Sequence, residues 1–445
     1  MSVHIYNLDD KYILFNHEQL KYFLLPPKLG EQLLKLDENE KERLISSLKE
    51  NFYFNGSNEI TQEEKEDDVC SRLILVISQA CNLSCSYCYA HGGSYGKQSG
   101  NFFMDFETAK NSVVFFTKTF AKGIKSIQFF GGEPLLNLDL IERLCYWVNE
   151  YYSSIGLNTP KFSILTNGTL INEKEIELFN SYNIGVTVSL DGDKGINDEH
   201  RKYKNVKRSV HEDVVKIINL MNKIRNFKLG IEMTVTNKHT ENFKDNPDFA
   251  LGLVKHFHNL KIDFIHFAPI IGEWNSNLTI VDEKSLANFF DDFVKYSLTT
   301  ISSNNPLVID FVLRITESVV KKRLKKNLCS AGVEDFAVDV EGNIYPCFVF
   351  IGRSEDLIMG NVNDNIEEKT QNFRQKILEF KEITYERINS CANCIAKGIC
   401  SQCIAASYLK FKNFDCVDNN LCSINKKIIE RIGLFLVDNY LVNKI

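Results

Sequence analysis

Residues 81–88 read Cys81-Asn82-Leu83-Ser84-Cys85-Ser86-Tyr87-Cys88, and they follow the apolar run Arg72-Leu73-Ile74-Leu75-Val76-Ile77-Ser78. The run predicts a buried strand, so the three cysteines fall on the loop at the strand's carboxyl end, where β/α folds carry their chemistry. Three thiolates at this spacing suit one [4Fe–4S] cube whose fourth iron stays open to a bound cofactor. For the triplet taken alone, zinc and redox-active thiols are the alternatives.

Composition narrows the class of protein. The chain of 445 residues suits two or three domains, and its net charge of −6 and pI near 5.9 argue against nucleic acid as a partner. It has no run of about 18 apolar residues and no signal peptide, so we expect a cytoplasmic enzyme without a membrane segment. Apart from Cys70 and Cys145, all of the 13 cysteines fall within 81–88 or 329–422, which indicates metal sites rather than disulfides.

Three domains are expected along the chain. Residues 1–69 predict a small α+β extension that ends in an acidic linker at 63–68. Residues 70–320 alternate strands with amphipathic helices, which predicts a partial (β/α)6 TIM-like barrel. Residues 321–445 are rich in loops and cysteines, as expected of a small domain organised by metal. The barrel strands are predicted at 73–78, 126–130, 161–166, 185–190, 229–235 and 262–268.

Small polar residues follow three consecutive strands of the predicted barrel. Gly131-Gly132-Glu133-Pro134 comes directly after the second strand, and glycines there allow close approach of the backbone to a ligand. Thr166-Asn167-Gly168 ends the next strand, and Ser189-Leu190-Asp191-Gly192 ends the one after it. Because the carboxyl ends of parallel strands lie on one face, these groups predict a single site at the top of the barrel.

Together these motifs resemble the signature of the radical S-adenosylmethionine (SAM) enzymes: CxxxCxYC followed by GGEP, TNG and SLDG. The resemblance implies that Cys81, Cys85 and Cys88 hold a [4Fe–4S] cluster and that SAM chelates its open iron. It also implies that SAM is cleaved reductively to a 5′-deoxyadenosyl radical that abstracts a substrate hydrogen. The residues that it assigns to SAM are Tyr87, Gly131, Gly132, Glu133, Asn167, Ser189, Asp191 and Arg201.

The resemblance gives these residues separate roles. It places GGEP at the methionine amino group, and Asn167, Ser189 and Asp191 around the ribose and carboxylate of SAM. Tyr87 matches the aromatic residue that contacts adenine. Arg201 is expected to pair with the SAM carboxylate, because a guanidinium fork fits that group bidentately. The family often shows H-D-x-x-R here, whereas this chain reads Asn197-Asp198-Glu199-His200-Arg201, with Asn in place of His.

A second set of cysteines lies toward the C-terminus: Cys329, Cys347, Cys391, Cys394, Cys400, Cys403, Cys416 and Cys422. Their spacing resembles the SPASM domain, which carries auxiliary [4Fe–4S] clusters on peptide- and protein-modifying radical SAM enzymes. By that pattern the first auxiliary cluster is held by Cys329, Cys347 and Cys403. The pattern assigns the second cluster to Cys391, Cys394, Cys400 and Cys422.

The ligand assignment leaves alternatives open. Two residues separate Cys400 from Cys403, where the family usually has three, so ligation by Cys403 is not settled. The fourth position of the first auxiliary cluster either takes Cys416, the spare cysteine, or stays open to a substrate thiolate. Zinc is the alternative to clusters, because two CxxC pairs also suit a zinc ribbon.

The resemblance predicts a peptide maturase that forms Cys thioether cross-links in a ribosomally made precursor. The context Tyr87–Gly96 and the N-terminal extension are similar to such enzymes. The expected partners are a Cys-containing precursor peptide and an electron donor of the flavodoxin or ferredoxin type. The alternatives are an anaerobic sulfatase maturase that forms formylglycine, a C–C cross-linking or epimerising SPASM enzyme and, in a different class, a non-catalytic metal-binding interaction protein.

Three features outside the motifs give further expectations. The extension 1–69 either recognises a leader peptide or caps the barrel. The basic run 321–326 predicts a solvated helix face, with a docking surface for an acidic leader as the alternative. His266, near a strand end, is predicted to be a hydrogen-bonded barrel histidine, so no residue is assigned as general base.

Overall fold

The computed structural model describes residues 3–51, 60–62, 68–270, 278, 282–364 and 366–439, so residues 63–67 of the predicted acidic linker lie outside the described residues. It contains a ten-stranded sheet, a three-stranded sheet near the N-terminus and a two-stranded pair. None of the helices in this described part combines the length and the apolar character that a membrane-spanning helix needs.

Strands and helices alternate along most of the chain. The strands are β1 (Val3–Leu8), β2 (Lys11–Asn16), β3 (Lys21–Leu25), β4 (Thr61–Gln62), β5 (Arg72–Ser78), β6 (Ser126–Gly131), β7 (Lys161–Thr166), β8 (Gly185–Ser189), β9 (Leu229–Val235), β10 (Phe264–Pro269), β11 (Val308–Ile309), β12 (Arg323–Leu324), β13 (Asp335–Val338), β14 (Asn343–Tyr345) and β15 (Gly360–Asn361). The helices are α1 (Pro27–Lys35), α2 (Glu38–Asn51), α3 (Phe106–Thr119), α4 (Leu138–Ile155), α5 (Glu173–Tyr182), α6 (Lys194–His200), α7 (Val210–Ile224), α8 (Asn237–Asp245), α9 (Phe249–Asn259), α10 (Glu283–Thr300), α11 (Asp310–Val320), α12 (Ile366–Lys381), α13 (Asn389–Ala392), α14 (Ile404–Phe411) and α15 (Asn419–Asn439).

Six parallel strands, β5 to β10, stand in chain order and confirm the predicted partial barrel. Strands of a parallel sheet are covered on both faces by helices and loops, so most of their residues are apolar. In β5, every residue from Leu73 to Ser78 is buried. Two more parallel strands extend the sheet, β11 beside β10 and β13 beside β5. The sheet order begins at β11 and ends at β15, so the barrel is open rather than closed.

The Cys-rich C-terminal part is continuous with the barrel sheet. Strand β13 pairs in parallel with β5, and β14 and β15 follow it in antiparallel pairing. This pairing brings Asp335 beside Arg72, and the two side chains form an ion pair of 2.8 Å. Cys329 and Cys347 therefore flank a strand pair, β13 and β14, that is anchored directly to the first barrel strand.

The N-terminal extension forms an antiparallel meander, β1-β2-β3, that lies between two helical layers. One layer is α1 and α2, which share a small apolar core with the sheet through Leu14, Phe23 and Leu33. The other is the C-terminal helix α15, whose backbone accepts hydrogen bonds from the hydroxyls of Tyr6 (2.9 Å) and Tyr22 (3.0 Å). The extension thus packs against the end of the chain.

The basic run 321–326 does not form the predicted helix face. Helix α11 ends at Val320, and Lys322 adopts a positive φ of 53° that turns the chain. Arg323 and Leu324 then form β12, which pairs with β4. The helix prediction was wrong because the periodicity of a short charged run does not reveal where a helix ends.

Candidate functional site

The loop after β5 that carries Cys81, Cys85 and Cys88 is fixed by backbone hydrogen bonds on two sides. Glu133 N donates to Ala80 O (2.8 Å) at one side, and Ser86 N donates to His200 O (3.1 Å) at the other. The three thiols lie within electrostatic reach of one another. Burial raises the pKa of Cys81 to about 11 and that of Cys85 to about 12. Such thiols ionise when a bound metal stabilises the thiolate, which fits a cluster at this loop.

The paired glycines after β6 allow this loop to approach. A Cβ at Gly131 would lie 2.1 Å from Ser78 O, and a Cβ at Gly132 would lie 2.4 Å from Ala80 O. Gly131 also has a φ of 144°, in the region that favours glycine. The two glycines therefore allow the backbone to pack closely against the cysteine loop. This role does not depend on whether they also contact a ligand.

Glu133 links three elements at the top of the barrel. Its buried carboxylate accepts hydrogen bonds from Leu135 N (3.0 Å), the Thr166 hydroxyl (2.7 Å) and Asn167 N (2.8 Å). Burial raises its pKa to about 7, although these donors lower it. A buried carboxylate with a raised pKa gains from a nearby cation, which fits the predicted contact with an ammonium group.

Asn167 lies next to the cysteine loop. Its side-chain amide donates to Asn82 Oδ1 (2.8 Å) and points at Cys81 Sγ (3.8 Å). Ser189, at the end of β8, is buried and stands beside Glu232 in the sheet register. The predicted residues Glu133 and Asn167 are thus brought together with Cys81, and Ser189 lies on a neighbouring strand end.

Asp191, Arg201 and Tyr87 form one buried cluster. Arg201 donates to Asp191 through Nε (2.9 Å) and Nη2 (3.0 Å), and the Tyr87 hydroxyl donates to the same carboxylate. Thr234 N donates a further hydrogen bond to Asp191 (3.0 Å). The resemblance assigned Asp191 and Arg201 separately to SAM, whereas here they bind each other. Asp191 therefore orients the side chains of Arg201 and Tyr87 through these hydrogen bonds.

Asn197 occupies the position at which the family often has His. Its side-chain oxygen accepts a hydrogen bond from Asp191 N (3.2 Å), and the residue is fully buried. The neighbouring Asp198 accepts from the Ser209 hydroxyl (2.5 Å) and from His211 N (2.9 Å). The substitution thus keeps a polar group that fixes the backbone of Asp191.

A second polar cluster lines the barrel on the strands beyond Ser189. His266 Nδ1 donates to Asp310 Oδ2 (2.7 Å), and its Nε2 lies 4.0 Å from Glu232 Oε2. Burial lowers the pKa of His266, but the charge of Glu232 and the hydrogen bond to Asp310 more than offset this and raise it to about 9. The prediction of a hydrogen-bonded barrel histidine is confirmed. The two carboxylates were missed, because only the sheet register brings them beside His266.

The C-terminal cysteines separate into two groups. Burial raises the pKa of Cys347, and the neighbouring Cys403 and Cys329 raise it further. A different set acts on Cys400, namely Cys391, Cys394 and Cys422. The SPASM resemblance implied the same two groups, and ligation by these thiols, that of Cys403 included, stays a prediction. Cys416 is not among the main neighbours that shift the pKa of Cys347, Cys400, Cys403 or Cys422.

The four thiols of the second group line one cavity. Cys391, Cys394, Cys400 and Cys422 lie around a space of about 120 Å³, next to Tyr385 and Gln402. Four thiols around one cavity are a donor set that a [4Fe–4S] cube takes.

Two family profiles match this chain. The profile of the radical SAM superfamily matches residues 75–250, and that of SPASM, an iron–sulfur cluster-binding domain, matches residues 329–395. The first range holds the cysteine loop and all strand-end motifs, and the second begins at Cys329.

Three related proteins cover most of the chain. An uncharacterized protein of Methanocaldococcus jannaschii is 33% identical over 310 residues, 69% of this chain and 94% of that protein. The radical SAM cyclopropyl synthase TigE of Paramaledivibacter caminithermalis is 24% identical over 428 residues, 89% of this chain and 84% of that protein. A cysteine-type anaerobic sulfatase-maturating enzyme of Clostridium novyi is 26% identical over 380 residues, 81% of this chain and 94% of that protein.

Two solved structures share the fold. Native anSMEcpe with bound AdoMet and Cp18Cys peptide superposes with a TM-score of 0.66 at 21% identity, over 83% of this chain and 98% of that one. Streptococcus suis SuiB bound to precursor peptide SuiA superposes with a TM-score of 0.55 at 16% identity, over 95% of this chain and 98% of that one.

Proposed function

Because this chain is an enzyme of the radical SAM superfamily with a SPASM domain, we propose that it matures a ribosomally made peptide by joining a cysteine thiol to a peptide carbon through a thioether. Its cofactors are SAM and [4Fe–4S] clusters. Reductive cleavage of SAM at the barrel cluster supplies a 5′-deoxyadenosyl radical for hydrogen abstraction. Binding of the substrate cysteine, of SAM and of the leader peptide is assigned below to residues of this chain.

The observation that carries the proposal is the number of thiols in the first C-terminal cysteine group, which is three. Cys347, Cys329 and Cys403 act on one another electrostatically and supply three thiolates. A cube takes four ligands, so one position suits a substrate thiolate. A cysteine of the peptide held there would lose its proton on binding and would be oriented for bond formation. When its sulfur joins a peptide carbon that has lost a hydrogen atom, one surplus electron remains, and a cluster at this site would accept it.

In the barrel we assign SAM to the residues that surround the cysteine loop. Glu133 holds the ammonium group of SAM, and Asn167 and Ser189 lie around its ribose and carboxylate. Arg201, oriented by Asp191, pairs with the carboxylate, while Tyr87 lies against adenine. The short contacts of Glu133 and of Asp191 support this assignment, because they fix the groups before SAM binds.

The N-terminal extension is proposed to recognise the leader of the precursor peptide. Its meander β1-β2-β3 is backed on both faces, so the two outer strands, β1 and β3, offer the edges. An extended peptide can add to such an edge through main-chain hydrogen bonds. Binding of a precursor peptide is known for SuiB, a protein of the same fold that was solved bound to the precursor peptide SuiA.

The second candidate is maturation of a sulfatase cysteine to formylglycine. It is favoured by the similarity to the Clostridium novyi enzyme, which is named as a cysteine-type sulfatase-maturating enzyme. Both reactions begin with a peptide cysteine, but only the thioether reaction keeps its sulfur. The similarity to TigE favours a third product, a cyclopropane, in which no thiol is consumed.

Product analysis distinguishes these reactions. The anaerobically reconstituted full-length protein is incubated with SAM and dithionite, together with a candidate Cys-containing precursor peptide, its Cys→Ser variant or a sulfatase-derived Cys peptide. Mass spectrometry and labelling with iodoacetamide report hydrogen loss and free thiol. Replacing dithionite by a reduced flavodoxin or ferredoxin tests the proposed electron donor. The Cys81→Ala/Cys85→Ala/Cys88→Ala variant is the control without SAM cleavage.

We expect 5′-deoxyadenosine, loss of two hydrogens per bridge and loss of one iodoacetamide-reactive thiol from the precursor peptide, and no bridge in its Cys→Ser variant. Exchange of sulfur for oxygen in the sulfatase peptide would instead establish the second candidate. Loss of two hydrogens with the thiol still reactive indicates a carbon–carbon product. Deuterium uptake from D2O without other mass change indicates epimerisation. Any of the last three results refutes the thioether proposal.

A further inference from the structure

Gln402 lies between the two C-terminal cysteine groups. It follows Cys400, which belongs to the second group, and precedes Cys403, which belongs to the first. Its side chain is only 5% exposed, and its Nε2 lies 3.4 Å from the sulfur of Cys422, a member of the second group. Gln402 thus contacts a thiol from a position that no motif singled out.

The backbone around Gln402 is held on both sides. Gln402 N donates to Leu328 O (3.3 Å), next to Cys329 of the first group. Ser401 N donates to Asn425 Oδ1 (3.4 Å), and Asn425 Nδ2 donates back to Ser401 O (3.2 Å). The backbone segment from which the Gln402 side chain reaches Cys422 is therefore held in place.

The orientation of the Gln402 amide suits a thiolate. Its Oε1 is buried and has no hydrogen-bond partner among the described residues. A reversed amide would place this oxygen against the sulfur, where two electron-rich atoms repel each other. With Nε2 on the sulfur, the N–H group can donate to the negative charge of a ligating thiolate.

We propose that Gln402 raises the reduction potential of the second auxiliary cluster by donating an N–H hydrogen bond to the Cys422 thiolate. Hydrogen bonds to ligand sulfurs stabilise the more negative, reduced state of a cluster and so shift its potential. Backbone N–H groups donate to sulfurs of both groups, for example Ala406 N to Cys403 (3.4 Å) and Ala396 N to Cys394 (3.4 Å). The Gln402 amide adds a side-chain donor to the second group, and a substitution can remove this donor without changing the backbone.

The inference rests on the proposed assignment of Cys422 to the second cluster, but not on which bond the enzyme forms. A second group also acts on this site: the ammonium of Lys426 lines the same cavity and lowers the pKa of Cys422. Lys426 is exposed, so its effect is screened by salt, whereas a buried amide is not. Lys426→Gln is therefore a matched control.

The test is a redox titration followed by electron paramagnetic resonance. It uses the full-length cluster-loaded protein with Cys81, Cys85 and Cys88 replaced by Ala, so that only the auxiliary clusters titrate. Gln402→Leu removes the donor, and Gln402→Glu replaces it by an oxygen. We expect one midpoint to fall in both variants, by a tenfold or larger change in the reduced-to-oxidised ratio, about 59 mV for one electron, while the other midpoint stays in place.

Salt and iron content complete the test. At about 1 M salt the shift caused by Lys426→Gln should shrink, while that of Gln402→Leu persists. No shift in either Gln402 variant, an equal shift of both midpoints, or loss of iron from both variants overturns the proposal. If Cys422→Ser keeps all of its iron, the ligand assignment fails instead, and the thioether assay reports separately on the proposed function.

Discussion

Replacing Asp191 by Asn should strongly destabilise the barrel, because every group that contacts this carboxylate is a donor. Oδ1 accepts from Arg201 Nη2 (3.0 Å) and Thr234 N (3.0 Å), and Oδ2 accepts from Arg201 Nε (2.9 Å) and the Tyr87 hydroxyl. An amide has one nitrogen, and that nitrogen would face two donors in either orientation. The charge of Arg201 would also lose its counter-ion.

The size of the effect follows from burial. Asp191 is 0% exposed and Arg201 6% exposed, so water cannot replace the lost partner. Removing one member of a buried ion pair costs about 3–5 kcal/mol. At about 2 °C or more per kcal/mol for a domain of this size, the melting temperature should fall by at least about 6 °C. Replacing both members by neutral groups, as in Asp191→Asn/Arg201→Met, should recover about 2 kcal/mol relative to the sum of the single changes.

Thermal unfolding of the cluster-loaded protein, followed by circular dichroism under anaerobic conditions without SAM, measures this effect apart from ligand binding. The matched control is Asp139→Asn, which removes a surface partner of Arg143 (3.3 Å, with side chains 80% and 55% exposed). That change should alter stability by less than about 0.5 kcal/mol. If Asp191→Asn melts within about 2 °C of the wild type, or if the single effects simply add in the double variant, the argument for a coupled buried pair is refuted.

Three further changes test other parts of the site. Cys422→Ser should remove one cluster, roughly four irons per chain, whereas Cys416→Ser should keep all iron; equal iron in the two variants would contradict the ligand assignment. Gly132→Ala should lower iron bound at the barrel loop, because its Cβ would lie 2.4 Å from a loop carbonyl oxygen, while Gly252→Ala, with no atom within 4 Å, should not. Burial raises the pKa of Glu133 from 4.5 to about 7, so the folded protein binds its proton more tightly than the unfolded chain and this group's stabilising contribution falls as pH rises between those values. SAM binding, measured by calorimetry, should accordingly tighten as pH rises through about 7, and Glu133→Gln should remove that part of the pH dependence; an unchanged profile would refute the ammonium contact.

The barrel could be predicted because its strands are mostly apolar and its motifs lie at the ends of those strands. The run 73–78 is fully buried in β5, and β6 extends one residue beyond the predicted 126–130, to Gly131. Cysteine spacing likewise predicts a division of the C-terminal thiols into two ligand sets, because ligands of one cluster lie on loops whose lengths are restricted; this assignment stays a prediction. Such features depend on residues close together in sequence.

Contacts between distant side chains could not be predicted in the same way. Asp191 and Arg201 are separated by α6, and their pairing depends on where that helix ends. Glu232 and His266 are partners in the register of β9 and β10, and Asp310 comes directly after β11, which pairs with β10. A sequence shows that each of these residues is polar in an apolar surrounding, which predicts a partner without identifying it.

The position of the N-terminal extension shows the same limit for whole elements. A Cβ at Gly433 in α15 would lie 2.2 Å from the Tyr6 hydroxyl and 2.3 Å from the Tyr22 ring, so this glycine is what allows the helix to lie against the meander. Arg431 of the same helix binds Asp9 (2.6 Å) and Asp291 (2.6 Å), which ties the extension and α10 to it. From the sequence alone, Gly433 is only a residue of low helix propensity. The residues that it contacts, Tyr6 and Tyr22, lie more than 400 positions earlier in the chain. Cys422 lies in the first turns of α15, so the helix that backs the meander also leads to the second cysteine group. A leader added to an edge of the meander would then be linked to the SPASM domain through α15.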